Sequence, residues 1–207
     1  LLYNQENKII LSDKPKAIQK ESQISGSQII LFLKDDKLEQ IQVDEAQVFY
    51  KNPNDSLKNI KEENFLSGKK MLLALEEEKI KEIKVIGNAT SLYSPSSQDT
   101  IPLSKNQASG DTIQIFFKQG EAKQVLIFGG AQGEYYFQSG TKDTITAEDT
   151  VRYQASSIDY QVEQSKIMLQ GNSQLTWKTV ALNSEEIEYD LEKAFLLAYG
   201  KETEKEG

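Results

Sequence analysis

The chain has 207 residues, 38% of them hydrophobic, a net charge of −8, and neither histidine nor cysteine. An acidic surface lacks the basic face that releases counterions from a phosphate backbone, so no nucleic-acid partner is expected. Without histidine or cysteine there is no disulfide frame, no thiolate nucleophile, no His-based triad and no zinc site of the usual ligands, so no catalytic residue, metal or cofactor is expected.

No run approaches the roughly 18 apolar residues of a membrane span, and the first residues lack the charged-then-apolar form of a signal peptide. The stretch from Lys8 to Ile18 opens with Ile9, Ile10 and Leu11. From Ser25 a pattern begins that occurs three times: SGSQIILFLKDDKLEQIQV, then SGKKMLLALEEEKIKEIKV from Ser67, then SGDTIQIFFKQGEAKQVLI from Ser109. Its glycines, Gly26, Gly68 and Gly110, are 42 positions apart both times. Such a period denotes stacked units, none of which can bury its apolar face alone.

Within each unit the apolar residues alternate: Ile29, Leu31, Leu33; Met71, Leu73, Leu75; Ile113, Ile115, Phe117. A period of two marks a strand with one buried face. Polar turns follow (KDDK, EEEK, KQGE), then second alternating runs through Ile41 and Val43, Ile83 and Val85, Val125 and Ile127. Each unit therefore reads as a hairpin. Taken alone, LALEEEKIKEI has high helix propensity, but its counterpart in the third unit is a Gln119–Gly120 turn between β-forming runs, so strand, turn and strand are expected from Leu73 to Ile83.

Each hairpin ends in a small-residue step (VDEA, VIGNA, IFGGA), where a strand can bulge round a corner. The segments from Asn54 to Phe65 and from Ser96 to Gln107, with Pro53, Pro95 and Pro102 at their margins, read as surface loops. From about Thr144 the unit shortens. Ile158 to Ile187 and Gly171 to Gly200 are both shifts of 29 residues, with Leu175, Trp177, Val180 and Leu182 between. The expected organisation is one continuous stack over residues 1–200, with 42-residue repeats over about 25–137, shorter ones over about 144–200, and a charged, frayed tail at 201–207.

Competing site readings are weak. Gly129 to Gly133 (GGAQG) follows a strand, but no helix pattern and no Lys-Ser/Thr pair complete a phosphate loop, so a corner is expected. Asp35–Asp36 and Glu76 to Glu78 occupy equivalent tips without calcium-loop order and read as solvated turns. The sequons at Asn54 and Asn88 carry no weight. The apolar alternation instead nominates an interior lined by Leu31, Leu33, Val43, Leu73, Leu75, Val85, Ile113, Ile115, Phe117, Ile127, Tyr160, Leu169, Trp177 and Leu197. Two facing sheets can close over such side chains or stay parted as a groove, and alternation fits either.

Laid out this way, MLLALEEEKIKEIKVIGNATSLY and IQIFFKQGEAKQVLIFGGAQGEYY resemble units of the OstA superfamily, the family of LptA-like bridge proteins and LptD N-terminal domains. ASSIDYQVEQSKIMLQGNSQLTW and SEEIEYDLEKAFLLAYG are similar to its LptD-type unit. The first unit departs, with Asp44-Glu45-Ala46 in place of Gly-Asn-Ala, which sets its corner apart. The resemblance covers nearly Ser25 to Gly200. It implies an all-β, open β-jellyroll (a β-taco) of stacked antiparallel hairpins, without enzymatic activity, that shields the acyl chains of lipopolysaccharide or a related lipid. It also implies a periplasmic location, with outer-membrane tethering in a full-length protein, and partners of the same fold, or further copies, joined end to end. Exposed edge strands suit such joining. The alternative from another class is a structural or adhesive β-solenoid with a filled core and no lipid. A sugar-cleaving parallel β-helix would need inward-converging carboxylates, whereas the acids here gather at turns.

Overall fold

The computed structural model describes residues 2–5, 7–19, 22–50, 64–93, 104–137, 150–190, 193 and 195–200. The strands are β1 (Leu2–Gln5), β2 (Lys8–Ser12), β3 (Lys16–Gln19), β4 (Ser22–Ser25), β5 (Gln28–Lys34), β6 (Lys37–Tyr50), β7 (Asn64–Glu76), β8 (Lys79–Tyr93), β9 (Ser104–Lys118), β10 (Glu121–Phe137), β11 (Thr150–Gln161), β12 (Lys166–Trp177), β13 (Val180–Asp190) and β14 (Phe195–Tyr199). A 3-10 turn at Val162–Gln164 separates β11 from β12. Among the described residues no helix is long and apolar enough to cross a membrane.

All strands belong to one antiparallel sheet with the order β1-β2-β5-β6-β7-β8-β9-β10-β11-β12-β13-β14, while β4 pairs with β6 and with β3. β4 and β5 lie end to end on the same edge of β6, opposite Gln47–Phe49 and Lys37–Asp44 respectively. They are two halves of one strand broken at Gly26–Ser27, and β2 and β3 are broken the same way. The architecture is an open β-jellyroll of stacked antiparallel hairpins.

The expected hairpin tips fall where the polar turns stand. Asp35 and Asp36 have φ of 50° and 59°, Glu77 and Glu78 50° and 64°, Gln119 and Gly120 57° and 84°. Two successive left-handed residues give the turn whose twist matches the flanking strands. The helix-prone LALEEEKIKEI is thus the end of β7, a turn and the start of β8. Tertiary pairing overrides local propensity because both flanks bury an alternating face.

The small-residue steps are bulges. Ladder register shifts between Ile86 and Ala89, Phe128 and Ala131, and Gln170 and Ser173. The skipped residues are left-handed: Gly87 and Asn88 (φ 80° and 51°), Gly129 and Gly130 (75° and 60°), Gly171 and Asn172 (77° and 50°). GGAQG is therefore a corner. The first unit does differ: Glu45 alone is left-handed (φ 49°), and Asp44 and Ala46 stay in register with Lys70 and Gly68. The repeat glycines sit where the neighbouring strand crosses these corners. A Cβ on Gly110 would lie 2.7 Å from Ile127 Cγ2 and 2.9 Å from the Phe128 carbonyl oxygen.

Because the bulges occupy one register, they form a crease running across the whole sheet. A residue in a single flat layer keeps one side open to water, yet Val43, Met71, Val85, Ile113 and Ile187 are 0% exposed. The sheet must fold over along the crease and cover itself. This creates a tip arm, running from the crease to the hairpin tips, and a connector arm, running to Tyr50, Asn64, Tyr93, Ser104, Phe137 and Thr150.

Two expectations need correction. Asn64, Phe65 and Ser104 to Gln107, read as loop, already belong to β7 and β9. Alternation continues through the repeat glycines, so those glycines mark mid-strand. Leu197, expected inside, pairs with Glu188 on the outer face, while Leu196 and Ala198 pair with the inward Tyr189 and Ile187. FLLAY has no alternation to fix its register, and a slip of one residue exchanges the faces. The tail at 201–207, Ala194, Pro53, Pro95, Pro102 and the sequon at Asn54 lie outside the described residues.

Candidate functional site

The interior divides into rows parallel to the crease, one residue per strand. In the tip arm the first row is Ile29, Val43, Met71, Val85, Ile113, Ile127, Ile158, Leu169 and Ile187, none more than 4% exposed. In the second row Leu73, Ile83 and Ile115 are 2%, 7% and 8% exposed, while Leu31, Ile41, Val125, Tyr160 and Ile167 are only half-buried. In the third row Leu33, Leu38, Leu75 and Phe117 are half-buried and Ile80 is exposed. Burial thus falls steadily from crease to rim. Packed at the crease and part-exposed toward the hairpin tips, this graded interior has the profile of a trough on the tip-arm side, while at the far end of the connector arm Asn64 and Thr150 are 0% and 5% exposed.

The connector arm contributes little bulk near the crease. Its first row is Ala46, Gly68, Ala89, Gly110, Ala131, Ala155 and Ser173, aligned by the ladders. Next come Val48, Leu66, Ser91, Ala108, Gly133, Tyr153 and Leu175. The Tyr153 hydroxyl donates to Asn106 Oδ1 at 2.6 Å, across Gly133, where a Cβ would lie 2.5 Å from Tyr153 Cζ. Burial pushes the Tyr153 phenol far above the ordinary tyrosine range, with the Asn106 hydrogen bond opposing the shift.

Toward the mouth the connector arm carries Tyr93, Asn106, Tyr135 and Trp177, set by the pairs Tyr93↔Asn106, Asn106↔Tyr135 and Val151↔Trp177. Trp177 is 41% exposed and the Lys178 amine lies 5.0 Å above its ring. Across the trough, burial raises the Tyr160 phenol, and the Tyr93 and Tyr135 phenols add to the shift. Tyr160 is a residue of the tip arm, paired with Val125 and Ile167, and Tyr93 and Tyr135 are residues of the connector arm.

Among the expected lining residues, Val43, Val85, Ile113, Ile127 and Leu169 therefore form the packed floor. Leu31, Leu73, Ile115 and Tyr160 lie on the lower wall, Leu33, Leu75 and Phe117 at the mouth, and Trp177 at the mouth of the other arm. The floor is too tightly packed to meet a ligand. The common row of Tyr93, Tyr135 and Trp177 is visible only once the crease fixes the count from the corner.

The acids Asp35, Asp36, Glu77 and Glu78 stay exposed at the tips. Outside the trough, a polar depression of about 430 Å³ lies over Gln107, Ser109, Gln132, Gln154 and Gln174, beside the Arg152–Glu134 ion pair of 2.7 Å.

No family model matches the sequence, and no curated protein matches it. Among solved structures the chain is similar to LptH of Pseudomonas aeruginosa, the LptA-homologous periplasmic component of its lipopolysaccharide transport device. The TM-score is 0.48 and the identity 13%, over 69% of this chain and 85% of LptH.

Proposed function

We propose that the protein is a non-enzymatic lipid conduit, whose trough shields the acyl chains of lipopolysaccharide or a related multi-chain lipid while the headgroup stays in water. The fall in burial from crease to rim carries this reading. Apolar side chains such as Leu33, Leu75 and Phe117 are held by strands yet left only half-buried, and their remaining surface gains by an apolar cover. Each methylene withdrawn from water contributes about 0.8 kcal/mol. At about 4.8 Å per strand, the twelve strands of the main path give a trough roughly 50 Å long, room for several acyl chains. The sequence resemblance to the OstA superfamily supports the lipid class and a periplasmic location.

The stack ends support joining to a partner of this fold or to a second copy. β1 and β14 are edge strands, and exposed apolar side chains gather near the two ends: Ile18, 70% exposed, on β3, and Val180, Phe195 and Tyr199, at 55%, 55% and 46%, on β13 and β14. Unpaired edges with apolar faces pair readily with another sheet, and such a heterologous contact extends without closing.

The test is photo-crosslinking in a lipopolysaccharide-producing host from Leu75 and Phe117, compared with the tip residue Glu77, together with native mass spectrometry of the purified protein. Lipid adducts at the two mouth positions and none at Glu77 are expected. Equal labelling at all three, with no lipid co-purifying, would leave the structural solenoid as the better account.

A further inference from the structure

The two rims of the trough have different chemistry at the same distance from the crease. Three residues out, the tip arm presents Leu33, Leu38, Leu75, Ile80 and Phe117, without a polar side-chain atom among them. Three residues out on the facing arm the row runs through Tyr93, Asn106, Tyr135, Val151, Trp177 and Val180, with the buried Asn64 at its head, so amphipathic rings stand here among aliphatic side chains. Exposure alone does not explain this, because part-exposed positions on the tip arm carry Leu33, Leu75 and Phe117 where part-exposed Tyr135 stands on the other. Tyrosine and tryptophan are amphipathic rings suited to a boundary, with an apolar body against hydrocarbon and a hydrogen-bonding tip at a wet, oxygen-rich layer.

We infer that the Tyr93–Tyr135–Trp177 rim is a subsite for the neutral oxygens where a lipid's acyl chains meet its sugar headgroup, so that the lipid lies with its chains toward the tip arm and its head over the connector arm. The inference rests on the conduit reading and adds a direction to it. Tyr93 is 42% exposed over the whole side chain, yet burial raises its phenol, so the ring spans the boundary with its hydroxyl partly sheltered. Sheltered phenols stay neutral and donate to hydroxyl, amide or ester oxygens. Tyr160 stands one row past the aliphatic floor on the opposite arm, between Val125 and Ile167. Lys178, its amine 5.0 Å from the centre of the Trp177 ring, puts a cation beside this rim, which favours an acidic group on the same head.

The experiment uses the full chain and two submicellar probes: N-phenyl-naphthylamine, an apolar fluorophore without a sugar, and dodecyl maltoside, which displaces it. The double variant Tyr93→Phe/Tyr135→Phe keeps both rings and removes both hydroxyls. It should bind the fluorophore as the wild type does while dodecyl maltoside displaces it roughly 3- to 10-fold less well, the effect of one net hydrogen bond. A thermal melt confirms that the variant is folded. Leu75→Phe/Phe117→Leu on the other rim should leave the ratio of the two affinities unchanged. If wild type and double variant bind both probes identically, the rim assignment is wrong and the conduit stands. If the wild type binds neither probe, the conduit reading fails and the rim with it. If the wild type self-associates and the double variant is a monomer by sedimentation, the rim is covered by a second copy and the assignment is overturned.

Discussion

The tip arm and the connector arm are built from the same strands, yet they solve opposite problems. Beside the crease the tip arm supplies volume, with isoleucine, valine, leucine and methionine at 0–4% exposure, while the connector arm supplies clearance, with alanine, glycine and serine. A sheet can turn sharply on itself only where one side of the fold gives way, because interiors pack at crystal density and two large rows cannot occupy one space. Away from the crease the roles change again. The tip arm remains purely aliphatic and aromatic, and the connector arm becomes amphipathic.

The sharpest way to break this comparison is a charge in the large row. Val85→Asp, at 0% exposure, should cost several kcal/mol and unfold the chain, since an unpaired buried carboxylate has no partner there. Chemical denaturation monitored by tryptophan fluorescence would show it.

Bulk in the small row should come next. Gly110→Val would force a side chain against Ile127 and the Phe128 carbonyl, 2.7 and 2.9 Å from the first added carbon, with a loss of about 1–3 kcal/mol. The same substitution at Gly120, with nothing within 4 Å of its Cβ position but a φ of 84°, tests backbone strain instead of crowding.

Tyr153 offers a pH-dependent contrast. Its folded pKa is raised by burial, so its stabilisation is fully present below the ordinary tyrosine value of about 10 and is lost as the pH rises beyond it toward the folded value. The expected result is alkaline unfolding that Tyr153→Phe moves to higher pH, at a cost near neutrality of about 0.5–1.5 kcal/mol for the lost Asn106 hydrogen bond. Melting temperatures measured from pH 7 to 12 in both proteins check it.

At the rim a charge should matter little for folding. Leu75→Asp is expected to change stability by less than about 1 kcal/mol, because its side chain already meets water, while reducing lipid capture in the crosslinking assay. Ile115, an attractive probe from alternation alone, is 8% exposed and would report folding instead. The smallest effect should be a gain: Glu77→Asn with Glu78→Gly places residues that tolerate left-handed backbone at φ of 50° and 64° and should add up to about 1 kcal/mol.

Hairpins, tips and corners were legible in the sequence because each leaves a local signature that the repeat amplifies. KDDK, EEEK and KQGE align, and so do GNA and GGA. Where signatures lapse, the reading lapses. FLLAY is continuously apolar, so Leu197 was assigned to the wrong face, and Asn64-Phe65 looked like loop because polar residues precede them. The fall in burial from crease to rim was not legible at all. Alternation states which face avoids water beside a strand, but whether the opposite wall reaches far enough to exclude water depends on the angle between arms. The tyrosine rim was hidden for a related reason: Tyr93, Tyr135 and Trp177 share no motif, and only counting outward from a known crease puts them in line.

The crease has one more consequence, which concerns growth. The bends after the first unit are made by residues of their own units, Gly-Asn or Gly-Gly with an alanine or serine beyond. The cross-section is therefore specified locally, like the die of an extruder, and the length is left to the number of copies. One more 42-residue unit would add two strands, about 10 Å, without altering the profile, and one fewer would shorten it equally. Duplication within the gene can thus match the protein to whatever distance or cargo it must span, and none of the existing contacts has to be renegotiated.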